Sequence, residues 1–104
     1  MIEIKTKGEL DEILKEKENV CLKASAQWCG PCKVMDKIIE KIEPYDGVDF
    51  VKVDVDDADE DFVNSLNVRN IPLFVFYKNG VESGRSTGGM TEVDFRAKLD
   101  GLKH

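Results

Sequence analysis

Two cysteines separated by one glycine and one proline constrain this chain more than any other feature. The segment from Trp28 to Lys33, which reads WCGPCK, follows an apolar run typical of a strand and precedes a run with helical periodicity. Cysteines three residues apart in the first turn of a helix are neighbours, close enough to form a disulfide. The helix dipole favours a thiolate on Cys29, the form of cysteine that attacks disulfides. The pattern therefore indicates a redox couple rather than a structural crosslink.

Length, composition and charge narrow the class of protein. The chain has 104 residues, of which 41% are hydrophobic and 35% charged, as expected for a single domain spanning 1–104. No apolar run approaches the roughly 20 residues that cross a bilayer, and the N-terminus lacks a signal-peptide pattern, so we expect a cytoplasmic protein that does not bind membranes. A net charge of −6, with scattered lysines, argues against nucleic-acid binding.

The cysteine count of three is odd, which leaves one cysteine outside the pair. In a reducing compartment this pattern suggests a functional pair plus one ordinary thiol. We expect Cys21 to be a small buried hydrophobic residue, with a regulatory thiol as the alternative. Zinc binding by Cys29 and Cys32 would need Cys21 and His104 as further ligands, and both are poorly placed for it, so we predict no metal site.

Apolar periodicity predicts five strands and four helices in the order βαβαβαββα. Thr6 with Glu9 and Thr91 with Asp94 resemble capping boxes at the starts of the first and last helices. Asn79-Gly80 is a strong hairpin signal between the last two strands. The predicted strands lie around Ile2–Ile4, Val20–Ala26, Phe50–Val55, Leu73–Tyr77 and Val81–Ser86.

This order of elements predicts an α/β fold with helices on both faces of a mixed sheet. The first three strands should run parallel through right-handed crossovers, and the final hairpin should add an antiparallel edge. Functional sites in such sheets gather at the carboxyl ends of the strands. Cys29 follows the second strand, so the architecture and the cysteine motif indicate the same location.

On these residues the chain resembles the thioredoxin family. The sequence WCGPCK matches the active-site sequence of the family, and Ile71-Pro72 matches its cis-proline step. Lys52-Val53-Asp54 at the end of the central strand and Lys78-Asn79-Gly80 at the hairpin also match. The resemblance covers essentially the whole chain and implies the thioredoxin fold.

The resemblance also implies a mechanism of dithiol–disulfide exchange. Cys29 would be an exposed nucleophile that attacks a target disulfide, and Cys32 would resolve the mixed disulfide. The Cys29–Cys32 disulfide would then serve without a cofactor, in a monomer that a thioredoxin reductase recycles. The partners implied are that reductase and protein disulfide substrates.

A substrate groove is expected beside the cysteines. Pro31 has a fixed φ that suits the first helical turn, and Gly30 keeps side-chain bulk away from Cys29. A cis bond at Pro72 would place the backbone of Ile71 against the cysteines, where a substrate strand could pair with it. The expected groove residues are Trp28, Gly30, Pro31, Ile71, Pro72 and Gly88.

Four positions depart from the family pattern. Lys23 stands where the family carries a buried aspartate that is thought to relay a proton for the resolving cysteine. Ser25 replaces a large aromatic residue, Lys37 replaces a proline, and Leu73 replaces a threonine. These changes put the proton chemistry behind the disulfide in question, because Lys23 reverses the charge there.

Lys23 and Lys52 are therefore the expected pKa-tuning residues. If both point into one pocket, burial of two like charges is unfavourable, so one should be neutral or should reach water or an acid. A cation near the sulfurs would favour the thiolate and make the couple more oxidising, with a Cys29 pKa below that of a Lys23→Asp variant. The alternatives are a neutral Lys23 that acts as the base for Cys32, or a Lys23 that extends into solvent.

Two other functions remain open on the sequence alone. The fold could serve as a binding or docking subunit whose thiols are incidental. It could also be a dedicated electron donor to one enzyme, such as a ribonucleotide reductase or a peroxidase. A glutaredoxin is disfavoured, because glutathione-using relatives usually carry a tyrosine at the position of Gly30.

Overall fold

The computed structural model describes residues 1–104, in which five strands form one mixed sheet between four helices. The order βαβαβαββα and the thioredoxin fold predicted from the sequence are confirmed. The elements are β1 (Ile2–Glu3), α1 (Lys7–Glu16), β2 (Asn19–Ser25), α2 (Gly30–Ile42), β3 (Asp49–Asp54), α3 (Glu60–Ser65), β4 (Leu73–Lys78), β5 (Val81–Thr87) and α4 (Glu92–Leu102).

The sheet has the spatial order β1-β3-β2-β4-β5. Strands β1 and β2 both run parallel to β3, while β4 is antiparallel to β2 and to β5, as the predicted topology requires. Strand β2 therefore lies at the centre, and all seven of its residues are buried. It begins at Asn19 and ends at Ser25, one residue earlier at each end than predicted. The cysteine motif therefore follows directly after the most buried strand of the sheet.

Each face of the sheet packs against its own pair of helices. On one face, Leu22 and neighbouring apolar side chains pack with residues of α1 and α3. On the other face, Cys21 packs with Met35 of α2 and Phe95 of α4. Because side chains alternate along a strand, Lys23 shares the face of Cys21 and lies beneath α2. A charged residue thus occupies a position that the strand pattern assigns to the interior.

The predicted turns and caps are present. The Glu9 N–H donates to Thr6 Oγ1 and the Asp94 N–H donates to Thr91 Oγ1, each at 3.2 Å. Asn79 has a φ of 52°, a left-handed conformation that asparagine tolerates in a tight hairpin. These local interactions fix where α1, α4 and the β4–β5 hairpin begin.

Two peptide bonds before proline are cis. The Ile71-Pro72 bond is cis, as the sequence comparison with the family predicts. The Glu43-Pro44 bond, directly after α2, is also cis, and the sequence analysis does not predict it. None of the helices has both the length and the apolar character needed to span a membrane.

Candidate redox site

The two cysteines of the motif form a disulfide at the start of α2. The Cα atoms of Cys29 and Cys32 are 5.3 Å apart, and Cys29 is the N-cap residue of the helix. The backbone N–H of Cys32 donates to the Cys29 sulfur at 3.2 Å. Pro31, in the first turn, has no N–H to satisfy. The helix start therefore directs a hydrogen bond and the positive end of its dipole at Cys29.

The disulfide is packed against apolar residues. Ala26 and the two cysteines form a small apolar cluster, and Val55 and Ile71 pack against it. Only 5% of Cys29 and 1% of Cys32 is exposed. The expectation of an exposed Cys29 is therefore wrong for the oxidised state, because these neighbours cover it. Cys29 still keeps more surface than Cys32.

Trp28 lies on the surface beside the disulfide, with 71% of the residue exposed. Its indole Nε1–H donates to Asp56 Oδ2 at 2.8 Å. The ring is thus open to solvent beside the cysteine pair, where the sequence predicts a groove residue. Gly30 and Pro31 are also exposed, at the tip of the redox loop. These residues form one wall around the cysteine pair.

The opposite wall comes from the segment before β4. Ile71 is half-buried, Pro72 is buried, and the Gly88 N–H donates to the Pro72 carbonyl at 2.8 Å. Neither the N–H nor the carbonyl of Ile71 makes a hydrogen bond within the chain. The structure thus brings the cis-proline step to the cysteine pair and leaves main-chain groups of Ile71 free beside it.

An apolar groove runs from the exposed indole toward α3. Of its residues, the sequence analysis expected only Trp28 and Ile71 at the site, and it placed Val55 only in a strand. The signal that was available for Val55 is its position directly after β3, whose carboxyl end lies beside that of β2. The groove is lined by Trp28, Val55, Val63, Val68, Arg69, Asn70 and Ile71.

Lys23 is 1% exposed and lies in an ion pair, with its Nζ 2.8 Å from Asp36 Oδ1. Both of these atoms are buried, and the contact between them is ionic rather than a hydrogen bond. Lys52 donates from its Nζ to the other carboxylate oxygen of Asp36 at 3.2 Å. The alternative in which Lys23 extends into solvent is therefore wrong. The two lysines do lie in one pocket, where both contact the carboxylate of Asp36.

Opposing effects act on the protonation of Lys23. Burial lowers its pKa below the ordinary value, and the nearby charge of Lys52 acts in the same direction. The carboxylate of Asp36 raises the pKa through its direct contact and its charge. Asp36 itself escaped the sequence analysis, although it lies four residues after Cys32 and hence on the same face of α2.

The remaining candidate residues lie away from the disulfide or in the core. Cys21 is a free, fully buried thiol whose burial raises its pKa, consistent with a small hydrophobic residue. His104 is the exposed last residue, so the structure does not bring it or Cys21 to the cysteine pair. Ser25 and Leu73 are buried, and Lys37 is exposed on α2.

Comparison with known proteins agrees with the fold and the disulfide geometry. The thioredoxin family model matches residues 1–101. The chain is 38% identical over 101 residues to a thioredoxin of Mycoplasmoides gallisepticum, covering 95% of this chain and 99% of that one. It is 36% identical over 87 residues to thioredoxin-1 of Saccharomyces cerevisiae, covering 83% and 84% of the two chains. The structure of Fasciola hepatica thioredoxin superposes with a TM-score of 0.86 at 30% identity, covering 99% and 100%.

The chain belongs to the thioredoxin family. Its disulfide between Cys29 and Cys32, at the start of a helix that follows the central strand, is the redox-active pair expected of that family. The protein is thus a thiol–disulfide oxidoreductase, and within that class a protein-disulfide reductase.

Proposed function

We propose that this protein reduces protein disulfides in two exchange steps that use Cys29 and then Cys32. The Cys29 thiolate attacks one sulfur of the target disulfide, and the second target sulfur leaves as a thiolate that takes a proton from water. Cys32 then loses its proton to water and attacks the Cys29 sulfur, which breaks the mixed disulfide and releases the first target sulfur as a thiolate that takes a proton from water. The target gains two electrons and two protons, and the protein is left with its own disulfide.

The position of Cys29 at the N-cap of α2 is the observation that carries this assignment. The Cys32 N–H that reaches the Cys29 sulfur at 3.2 Å would stabilise negative charge there in the reduced state. Cys32 has no such cap position and is 1% exposed, so it reacts best with a sulfur already bound to Cys29. This difference supports Cys29 as the nucleophile and Cys32 as the resolving residue.

Substrate docking is proposed at the surface that surrounds the disulfide. The free N–H and carbonyl of Ile71 can pair with an extended target segment, as in strand addition to a sheet edge. Exposed Trp28, Gly30 and Pro31 supply one wall, and Gly88 hydrogen-bonded to Pro72 supplies the other. Val55 and Val63 extend the apolar floor of this surface.

The cellular setting that fits this chemistry is a reducing one. We place the protein in the cytoplasm as a monomer with one domain over 1–104, recycled by a thioredoxin reductase. Lys23 and Lys52 are proposed to tune the cysteines, because both lie around the same carboxylate on the helix that carries Cys32. No cofactor beyond the cysteine pair takes part in the proposed exchange.

Trapping of the mixed disulfide tests the assignment. The Cys32→Ser variant should accumulate a covalent adduct with a disulfide-containing protein such as insulin, and reductant should release it. The Cys29→Ser variant should form no such adduct, and Cys21→Ser serves as the matched control with unchanged reductase activity. Adducts of equal yield from the Cys29→Ser and Cys32→Ser variants would contradict the assigned roles. Full in vivo function of the double serine variant would favour a docking role instead.

A further inference from the structure

A half-buried carboxylate on the helix that carries the cysteine pair joins two lysines. Asp36 accepts from Lys52 through one oxygen and contacts Lys23 through the other, at 3.2 and 2.8 Å. The exposed side-chain fractions are 1% for Lys23, 21% for Asp36 and 30% for Lys52. Lys23 is therefore the innermost member, and Asp36 lies between it and the solvent side.

Helix geometry connects this cluster to the redox pair. Asp36 follows Cys32 by one turn within α2, so their Cβ atoms are roughly 5–6 Å apart. Since the Lys23 ammonium touches the Asp36 carboxylate, it lies within roughly 10 Å of the Cys32 side chain. Cys32 and Lys23 are both almost fully buried, so little solvent surrounds either group directly. A charge on Lys23 is screened little at the sulfurs.

The charge on Lys23 depends on what surrounds it. Its neighbour on β3 is Lys52 and its neighbour on β4 is the uncharged Phe74. Cys21 on the same strand is a buried neutral thiol. Asp36 on α2 is thus the only anion in contact with Lys23, while burial and Lys52 both oppose protonation. Lys33 and Asp54 line the cleft beside Asp36 without an ion pair to Lys23.

We propose that Asp36 is a positioning residue of the redox couple, whose carboxylate holds Lys23 in its charged form behind Cys32. The buried ammonium in turn stabilises the thiolate of the reduced pair. This inference rests on the exchange chemistry proposed for Cys29 and Cys32, and it adds a residue on α2 to that chemistry. Without Asp36, Lys23 would face burial and a second cation with no counter-charge, and it would become a neutral amine.

A double-mutant cycle on thiolate formation tests the proposal. The four proteins are the wild type, Lys23→Met, Asp36→Asn and the double variant, each titrated in the reduced state by the ultraviolet absorbance of the thiolate. In the presence of Asp36, Lys23→Met should lower the ratio of thiolate to thiol at neutral pH by about threefold or more. In the Asp36→Asn background, the same substitution should change that ratio by less than about 1.5-fold.

Controls separate this effect from general changes in charge and from failure of the exchange mechanism. Lys37→Met removes the same charge from the exposed residue next to Asp36 and should leave the ratio unchanged within about 1.5-fold. Trapping of the mixed disulfide by Cys32→Ser is measured as a separate experiment. If trapping is normal but the double-mutant cycle does not give the expected ratios, only the role of Asp36 is overturned. An equal effect of Lys23→Met in both backgrounds would show that Lys23 is charged without Asp36. No effect in the wild type would show that the cation does not reach the sulfurs.

Nitrogen NMR of the Lys23 side chain provides a second readout that does not depend on catalysis. The wild type should show a charged ammonium at neutral pH, and Asp36→Asn should show a neutral amine. A neutral amine in the wild type would overturn the proposal even if the Asp36→Asn variant does not fold. A charged ammonium in a folded Asp36→Asn variant would overturn it as well.

Discussion

Trp28 donates its indole Nε1–H to Asp56 at 2.8 Å, although 71% of the residue is exposed to solvent. Asp56 is itself held, because its backbone N–H donates to Asp54 Oδ1 at 2.9 Å. An exposed aromatic ring would otherwise exchange between rotamers on the nanosecond scale. The hydrogen bond therefore fixes the ring beside the disulfide, where a target protein has to approach.

Asp56→Ala should weaken substrate docking without altering the cysteines. Without the hydrogen bond to Asp56, the Trp28 side chain has more rotamers, so it loses more conformational entropy when a target binds. We therefore expect kcat/KM for a protein disulfide to fall by about two- to fivefold. Asp56→Asn keeps a carbonyl oxygen that can accept from the indole and should retain most of the activity. Tryptophan fluorescence anisotropy should fall in Asp56→Ala alone.

Asp57→Ala is the matched control for Asp56→Ala, because it removes the same charge from the next residue. Asp57 pairs with Lys5 at 2.9 Å, and the indole N–H donates to Asp56 and not to Asp57. Its variant should leave kcat/KM and fluorescence anisotropy near the wild-type values. If both variants slow the reaction equally, the effect belongs to the acidic surface and not to the ring.

Asp59→Ala should destabilise the start of α3. Asp59 Oδ1 accepts from the Asp61 N–H at 2.9 Å and caps the helix that carries Phe62, which is 3% exposed. Loss of such a cap costs about 1 kcal/mol. Urea unfolding should show this decrease in the free energy of unfolding, whereas Asp59→Asn should stay close to the wild type. A larger loss in Asp59→Asn than in Asp59→Ala would contradict the capping role.

Phe95→Ala should be among the most destabilising single changes in the chain. Phe95 is fully buried, and its ring centroid lies 5.2 Å from that of Phe74 and 6.2 Å from that of Phe50. Truncation of such a residue leaves a cavity and costs about 3–5 kcal/mol. Val93→Ala on the same helix, at a residue that is 77% exposed, should change the free energy of unfolding by less than about 0.5 kcal/mol. Equal midpoints for the two variants in urea would contradict this account of the core.

The order of elements and the position of the redox pair followed from local signals in the sequence. Val20 to Ala26 is continuously apolar or small except for Lys23, so the central strand was correct to within one residue. Asn79-Gly80 marks the hairpin turn through its two left-handed residues, and Thr91 marks the start of α4 through its side-chain oxygen. Strand runs, turn residues and helix caps each depend on a few neighbouring residues, so they can be recognised in a single sequence.

The ionic partners could not be predicted in the same way. The resemblance to the family placed Lys23 at a buried position of β2, but its counter-ion comes from another element. Asp36 reaches it only because α2 crosses β2 at that point, and the crossing depends on packing of the whole helix. The hydrogen bond between Trp28 and Asp56 likewise joins residues 28 positions apart. Long-range polar contacts of this kind leave no periodic signal.

Lys23→Met should change how stability depends on pH. Burial lowers the pKa of Lys23 in the folded chain below its ordinary 10.5, so the unfolded state binds more protons between the two values. Stability of the wild type relative to Lys23→Met should therefore rise as pH increases through the window below 10.5 and level off above it. The slope cannot exceed about 1.4 kcal/mol per pH unit for one group.

Urea unfolding of the wild type and Lys23→Met at several pH values measures this difference directly. The comparison cancels the raised pKa values of Tyr45 and Tyr77, because both residues are present in both proteins and Lys23 acts on neither. Lys37→Met, which removes an exposed lysine, should show no such rise relative to the wild type. A difference between the wild type and Lys23→Met that decreases with pH would mean that Asp36 raises the pKa of Lys23 by more than burial lowers it. In that case the ion pair, and not desolvation, would dominate the protonation of Lys23.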